Sequence, residues 1–219
     1  MDKIPILLLT FEAPLQSCGE RSKWDYRDSA YFPTKSQVVG LLGSALGIPT
    51  GDAALPRLSE AIRVGARADR AGTLAVDYHT VTGQIRNAEG KLRGKVGVDG
   101  TILSYRQYLE DASFLVAITA DEALLLQLKE ALQDPVWPPF LGRKCCVVTR
   151  PLFETLTHEY SSVLDAFTRY PLAPRADKER YTQYQIENEQ GNLRRRDALV
   201  GTRTFAYRGV EQGVVEVMT

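Results

Sequence analysis

Apolar positions along the chain change their period several times, and each change marks an element. Ile4 to Phe11 (IPILLLTF) is almost continuously apolar, which predicts a strand buried on both faces, and Pro14 and Gly19 break it. Glu20 to Tyr31 mixes both signs of charge with three aromatics and shows no period, the pattern of an exposed surface connection. From Thr34 the residues Val38, Val39, Leu41, Leu42, Ala45 and Leu46 recur at helical spacing, with Thr34 as a cap and Gly47 and Pro49 as stops. Gly40 and Gly43 inside that helix each cost about 1 kcal/mol against Ala, which is tolerated where a helix approaches another backbone closely.

Ala61 to Asp69 alternates, with Ile62, Val64, Ala66 and Ala68 on one face and Arg63, Gly65, Arg67 and Asp69 on the other, so a half-buried strand is expected. Ser113 to Ile118 is a further apolar strand. It runs into Thr119-Ala120-Asp121-Glu122, a capping-box arrangement that opens a helix from Ala120 to Gln133 and is closed by Pro135. Cys145 to Val148 offers another short strand. The order strand, helix, strand, long insertion, strand, helix, strand predicts an α+β, ferredoxin-like fold of the RNA-recognition βαββαβ type over residues 1–150. Beyond Pro151, alternating runs near Tyr181 to Ile186, Thr202 to Tyr207 and Val214 to Val217 predict a small β-rich C-terminal region, 151–219, in which Arg194-Arg195-Arg196 reads as a solvated turn.

The fold order is compatible with many activities, whereas the insertion between Asp69 and Asp111 is more specific. Its tip, Gln84 to Gly100, is too rich in glycine to carry a packed core. Arg86, Lys91, Arg93, Lys95 and Arg106 outweigh Glu89 and Asp99, and Tyr78, Tyr105 and Tyr108 stand at its roots. A basic hairpin with aromatic roots suits a nucleic-acid backbone better than a small-molecule pocket, the plain alternative being a solvated loop. Phe140 to Lys144 (FLGRK) places a glycine beside two cations, either a plain basic turn or an arrangement in which backbone amides, Arg143 and Lys144 grip phosphate.

Composition narrows the choices further. Lys plus Arg balance Asp plus Glu at 27 each in 219 residues, which argues against wholesale attraction to nucleic acid or membrane and leaves local patches to do any binding. With three cysteines there is no disulfide framework, and the first apolar run is far shorter than the roughly 20 residues that span a bilayer, so a reduced, cytoplasmic protein is expected. Two histidines and scattered cysteines give no metal-ligand spacing, and neither a phosphate loop nor a nucleophile elbow is present, so no metal or cofactor is expected. Asp77-Tyr78-His79-Thr80 is the local constellation that can do acid–base work, with His79 as base; the plain reading is a histidine that hydrogen-bonds RNA or its own neighbours.

The stretches LLLTFEAPLQSCGE, YFPTKSQVVGLLGSALGI, DYHTVTG, SYRQYLEDASFLVAI and PPFLGRKCCVVTRPLF, spread in this order over residues 7–153, resemble the Cas-five family of the RAMP superfamily, in the form that serves type I-E CRISPR Cascade complexes. The tail RRRDALVGTRTFAYRGV matches it loosely. The resemblance implies an RNA-recognition-like domain with a protruding β-hairpin thumb, here residues 78–108, that binds the 5′ handle of the CRISPR RNA and caps that end of the complex without catalysis. It implies contacts with the backbone subunit and the large subunit, and with target DNA through the complex. Carried over by position, the RNA contacts are Lys35, Ser36 and Gln37 at a helix start, Tyr78, His79, Tyr105 and Arg106 in the thumb, and Gly142, Arg143 and Lys144. Arg86, Lys91, Arg93 and Lys95 join them on charge alone. The vicinal Cys145-Cys146 departs from the single cysteine followed by proline that the family leads one to expect. The alternative, a metal-independent endoribonuclease acting on repeat RNA through Tyr78 and His79, lacks the adjacent Lys-His pair expected of that branch. A structural adaptor without RNA contact would fit the neutral charge but leaves the basic insertion unexplained.

Overall fold

A computed structural model describes residues 3–21, 23, 25–82, 85–86, 92–93, 101–177 and 179–217, with 85–86 and 92–93 described by backbone only. The first apolar run forms β1 (Ile6–Glu12), followed by two-residue strands β2 (Leu15–Gln16) and β3 (Tyr26–Arg27). The helical period forms α1 (Lys35–Ala45), where the Thr34 hydroxyl accepts the Gln37 amide at 3.1 Å and Gly47, at φ +72°, follows the helix end. Then come α2 (Ala54–Ala61), β4 (Arg63–Arg70), β5 (Thr73–Val81), the short pair β6 (Ile85–Arg86) and β7 (Leu92–Arg93), β8 (Ile102–Glu110) and β9 (Ser113–Thr119). The chain continues through α3 (Glu122–Gln133), β10 (Phe153–Thr157), α4 (Val163–Arg169), β11 (Tyr181–Glu187), β12 (Leu193–Gly201) and β13 (Thr204–Glu216).

The fold is mixed α/β, mostly strands with a few helices. Its main sheet runs β10-β1-β9-β4-β11-β13-β12, and every neighbouring pair is antiparallel. One face carries Leu7, Leu9, Phe11, Val64, Ala66, Phe114 and Val116, packed with the apolar sides of α1, α2 and α3. The other face carries Ile6, Leu8, Leu115 and Ala117 under Tyr160, Ala166 and Phe167 of the α4 region. β1 is therefore buried on both faces, as its uninterrupted apolar run predicts.

Several expectations change. β4 is buried on both faces, not half-buried, because α4 lies on its polar side: Gly65 abuts Val163 and Phe167. The Arg67 guanidinium there is fully buried, donating to Asp69 at 2.6 Å and to the carbonyls of Tyr170 and Pro171 at 2.8 and 2.9 Å. The capping box does not form; β9 extends through Thr119, and Asp121 takes the cap position without a side-chain bond. Cys145 to Val148 is no strand but the far side of a tight turn, tied by Leu141 N to Cys146 O and Cys146 N to Arg143 O. The edge of β1 is taken instead by β10, in sequence beyond residue 150, and β11 pairs with β4, so the sheet runs on across the expected boundary. Gly43 lies against Leu55 of α2, where an added Cβ would fall 2.4 Å from Leu55 Cδ2, whereas Gly40 faces open space.

The insertion is a hairpin. β5 and β8 pair antiparallel from Thr73↔Glu110 to Val81↔Ile102, and the loop after β1 is zipped to the free side of β8 by β2, antiparallel, and β3, parallel. Glu20 to Tyr31 is thus partly a sheet element rather than a free connection.

Candidate nucleic-acid interface

Side chains on a strand alternate between faces, and residues paired across strands share one. In the hairpin, Tyr78 pairs with Tyr105 and Tyr105 pairs with Tyr26 of β3, so three tyrosines share a face. Tyr78 and Tyr105 have ring centroids 5.3 Å apart, and each is about half exposed, at 54% and 50%. Tyr26 is fixed by a 2.7 Å hydrogen bond from Gln107 Nε2 to its hydroxyl and is 43% exposed. Val76 and Leu103 extend the same face and are exposed too. Large apolar groups left open on a sheet that could have packed them mark a binding surface.

The opposite face carries Asp77, His79 and Arg106. His79 Nδ1 lies 3.5 Å from Asp77 Oδ2, and Arg106 Nε donates to Ser104 Oγ at 3.2 Å. Tyr78 and His79, adjacent on β5, therefore point to opposite sides of the hairpin and do not converge on one bond.

The FLGRK turn meets the hairpin root. Arg143 donates to the carbonyls of Gln107 at 2.9 Å and Arg27 at 3.3 Å, and its guanidinium sits 4.4 Å from the Tyr108 ring centroid. It holds the hairpin to the turn and has little left for phosphate, while Lys144 beside it is exposed. Gly142 has φ +96°, and a Cβ there would fall 1.8 Å from Ser17 O, so the close approach of turn and loop requires glycine. Burial pushes the Tyr108 hydroxyl up, against its bond to Arg143, and pushes the Cys18 and Cys146 thiols to about 12 and about 11, so these groups stay protonated near neutrality.

The start of α1 does not join this surface. The Lys35 ammonium is buried, donating to Glu187 Oε1 at 2.8 Å and Ile62 O at 3.0 Å, and its amide donates to Asp197 Oδ2 at 2.8 Å. The Gln37 amide is taken by Thr34, and the Ser36 hydroxyl lies 3.2 Å from that of Thr34. The Lys35 and Gln37 amides, expected to face phosphate, are thus occupied by the protein itself. Lys91 and Lys95 lie outside the described residues, as do the side chains of Arg86 and Arg93, whose backbones sit on paired strands. Sequence reasoning missed Tyr26; its signal was the aromatic content of the Glu20 to Tyr31 segment, legible only once β3 docks on β8.

Among the described residues no group of His, Cys, Asp or Glu could hold a metal ion, and no helix is long and apolar enough to cross a membrane.

A family profile described as CRISPR-associated protein (Cas_Cas5) matches residues 6–217. Over 159 residues the chain is 36% identical to the CRISPR system Cascade subunit CasD of Escherichia coli (strain K12), covering 67% of this chain and 69% of that one. Among solved structures, one described as a Cas protein superposes with TM-score 0.74 at 32% identity, covering 96% of this chain and 95% of the other. A chain of a CRISPR RNA-guided surveillance complex superposes with TM-score 0.79 at 28% identity, covering 97% and 90%.

Proposed function

The chain belongs to the Cas5 family of CRISPR-associated proteins, and from that premise we propose that it is a non-catalytic, cytoplasmic subunit of a Cascade-type surveillance complex that binds the 5′ handle of the CRISPR RNA and caps that end of the assembly. The observation that carries this reading is the exposed face of Tyr26, Tyr78 and Tyr105 on a hairpin that pairs outside the main sheet. Unpaired bases stack on such a face whatever their identity, at about 1–3 kcal/mol each, and nearby cations meet the phosphates. Lys144 is an exposed cation at the root, Arg106 stands on the reverse face of the hairpin, and Arg86, Lys91, Arg93 and Lys95 are added from the sequence on charge alone.

In the same reading β1, α1, β4, β9, α3 and β10 form the ferredoxin-like unit, supported by the strand order β10-β1-β9-β4, and the unit ends at Thr157 rather than residue 150. The strands β11 to β13 then make up the β-rich C-terminal region. The partners are the CRISPR RNA, the backbone subunit and the large subunit, with target DNA reached through the complex. Catalysis by Tyr78 and His79 is disfavoured by their opposite facing.

The test incubates the purified chain with labelled repeat RNA in EDTA and runs native and denaturing gels. A shifted, intact RNA, weakened when Tyr78 and Tyr105 are both changed to Ala, is expected. A specific cut would replace the proposal with an endoribonuclease, and neither shift nor cut would leave an adaptor that does not hold the handle by itself.

A further inference from the structure

Away from the hairpin, the loop before α1 lies against the C-terminal strands and leaves two clefts that share Glu20 and Arg21. The first, about 300 Å³, is lined by Gln183, Gln185, Gln212, Tyr31 and Arg194. The second, about 480 Å³, is lined by Arg196, Phe205 and Tyr207. Tyr31 and Tyr207 are 65% and 68% exposed, among the most open large side chains of the protein.

The charges are sorted in a way that favours an anion. Glu20 is neutralised by the protein: its carboxylate lies 3.5 Å from the buried Arg195 guanidinium and accepts the Arg196 amide at 3.3 Å. Asp28 accepts the backbone amides of Glu20 and Arg21, fixing the loop. Arg195 is itself consumed by Pro33 O, Phe32 O and Gln185 Oε1. The Arg21 and Arg194 guanidinium groups, by contrast, have no side-chain partner among the described residues, and both residues are exposed. The Arg196 guanidinium makes one long bond among the described residues, from Nε to Phe205 O at 3.3 Å. Gln185 and Gln212 are tied at 2.8 Å, which orients the Gln212 amide with its nitrogen free, and the Gln183 amide is unengaged among the described residues.

We propose that these clefts, which by strand alternation lie on opposite faces of the sheet at the β12 edge, form a second single-stranded RNA track that passes over that edge, with Tyr31 and Tyr207 each stacking a base, Arg21 and Arg194 meeting phosphates, and the Gln183 and Gln212 amides facing a base edge. The inference rests on the RNA-binding reading above and extends it to a surface the hairpin does not include. Open aromatics together with uncommitted guanidinium groups are the elements of a stacking platform and electrostatic groove, and side-chain amides add hydrogen bonds to base edges.

The test measures fluorescence anisotropy of labelled single-stranded repeat RNA with the full chain across a salt series. Tyr31→Ala is expected to weaken binding about tenfold without changing the salt slope, because stacking is uncharged. Changing Arg21→Glu together with Arg194→Glu is expected to weaken it and to flatten the slope of log affinity against log salt by about 1.4, at roughly 0.7 per phosphate contact on a single strand. Melting temperatures should stay at the wild-type value, since these side chains are exposed. If the wild type binds, Tyr78→Ala with Tyr105→Ala weakens it, and the cleft variants bind like wild type, the second track is overturned while the handle-binding reading stands. A wild type that binds no RNA overturns both. A DNA strand of the same sequence bound as tightly, with the same losses in the variants, would reassign the track to DNA and overturn the proposal.

Discussion

Lys35 discriminates between a structural and an RNA-contacting start of α1. Its ammonium and the Glu187 carboxylate are only 3% and 11% exposed and 2.8 Å apart, with a second bond to Ile62 O. Burial pulls the Lys35 pKa below the ordinary 10.5, against the opposing pull of Glu187, so the charge is held at a cost that its partner offsets. Removing one member of a buried pair typically costs about 3–5 kcal/mol, since the other charge is left buried. Arg63 Nε, 3.7 Å from the same Glu187 oxygen, compensates part of this, so Lys35→Ala should lie at the low end, about 3 kcal/mol. At about 2–4 °C per kcal/mol for a chain of this size, the melting temperature should fall by about 6–12 °C. Lys35→Met combined with Glu187→Leu should recover most of the loss by removing both charges. The assay is thermal unfolding alongside RNA binding measured well below the transition. A Lys35→Ala variant that melts like wild type yet binds RNA tenfold more weakly would refute the ion-pair argument and return Lys35 to the RNA interface.

Other consequences are equally direct. Burial alone would raise the Asp197 carboxyl, but Arg208, Arg195 and the Lys35 amide outweigh it and hold the group below the usual 3.8. A depressed folded value means stabilisation that is present above the unfolded pKa and lost as pH falls through the folded one. Urea unfolding should therefore show Asp197→Asn well below wild type at about pH 6 and converging on it below about pH 4; a constant gap would reject the assignment. Gly142→Ala combines a left-handed backbone with a Cβ placed 1.8 Å from Ser17 O. It should cost at least about 2 kcal/mol in denaturant unfolding, and a neutral result would mean that the turn relaxes freely. Cys145 is exposed whereas Cys18 and Cys146 are buried with raised pKa values. Iodoacetamide at about pH 8 should accordingly label one thiol in the folded protein and three after unfolding, read by mass spectrometry, and rapid native labelling of Cys18 would contradict its burial.

Local pattern was sufficient for elements whose cause is local. The apolar run of β1, the cap and stop of α1, and the length and composition of the insertion all report how a segment prefers to fold and which side it must bury. The sequence also placed Tyr78 and Tyr105 at the insertion's roots, where they meet. It assigned Arg67 to a solvent face and left Tyr26 in a loop, because nothing in either segment announces the α4 layer or the β8 edge that receives it.

By itself, then, the sequence determined β1, α1, β4, β9 and α3 in their order, though not α2 or the short strands β2 and β3, together with the basic aromatic insertion and the family resemblance. The tertiary structure decided which cations remain free for a ligand. Lys35 meets Glu187 152 positions away and its amide meets Asp197 162 away, while Arg143 meets Gln107 36 away. A charged side chain carries the same local signal whether it ends in water, against phosphate or in a buried pair, and only the fold, by choosing its distant neighbours, separates these fates.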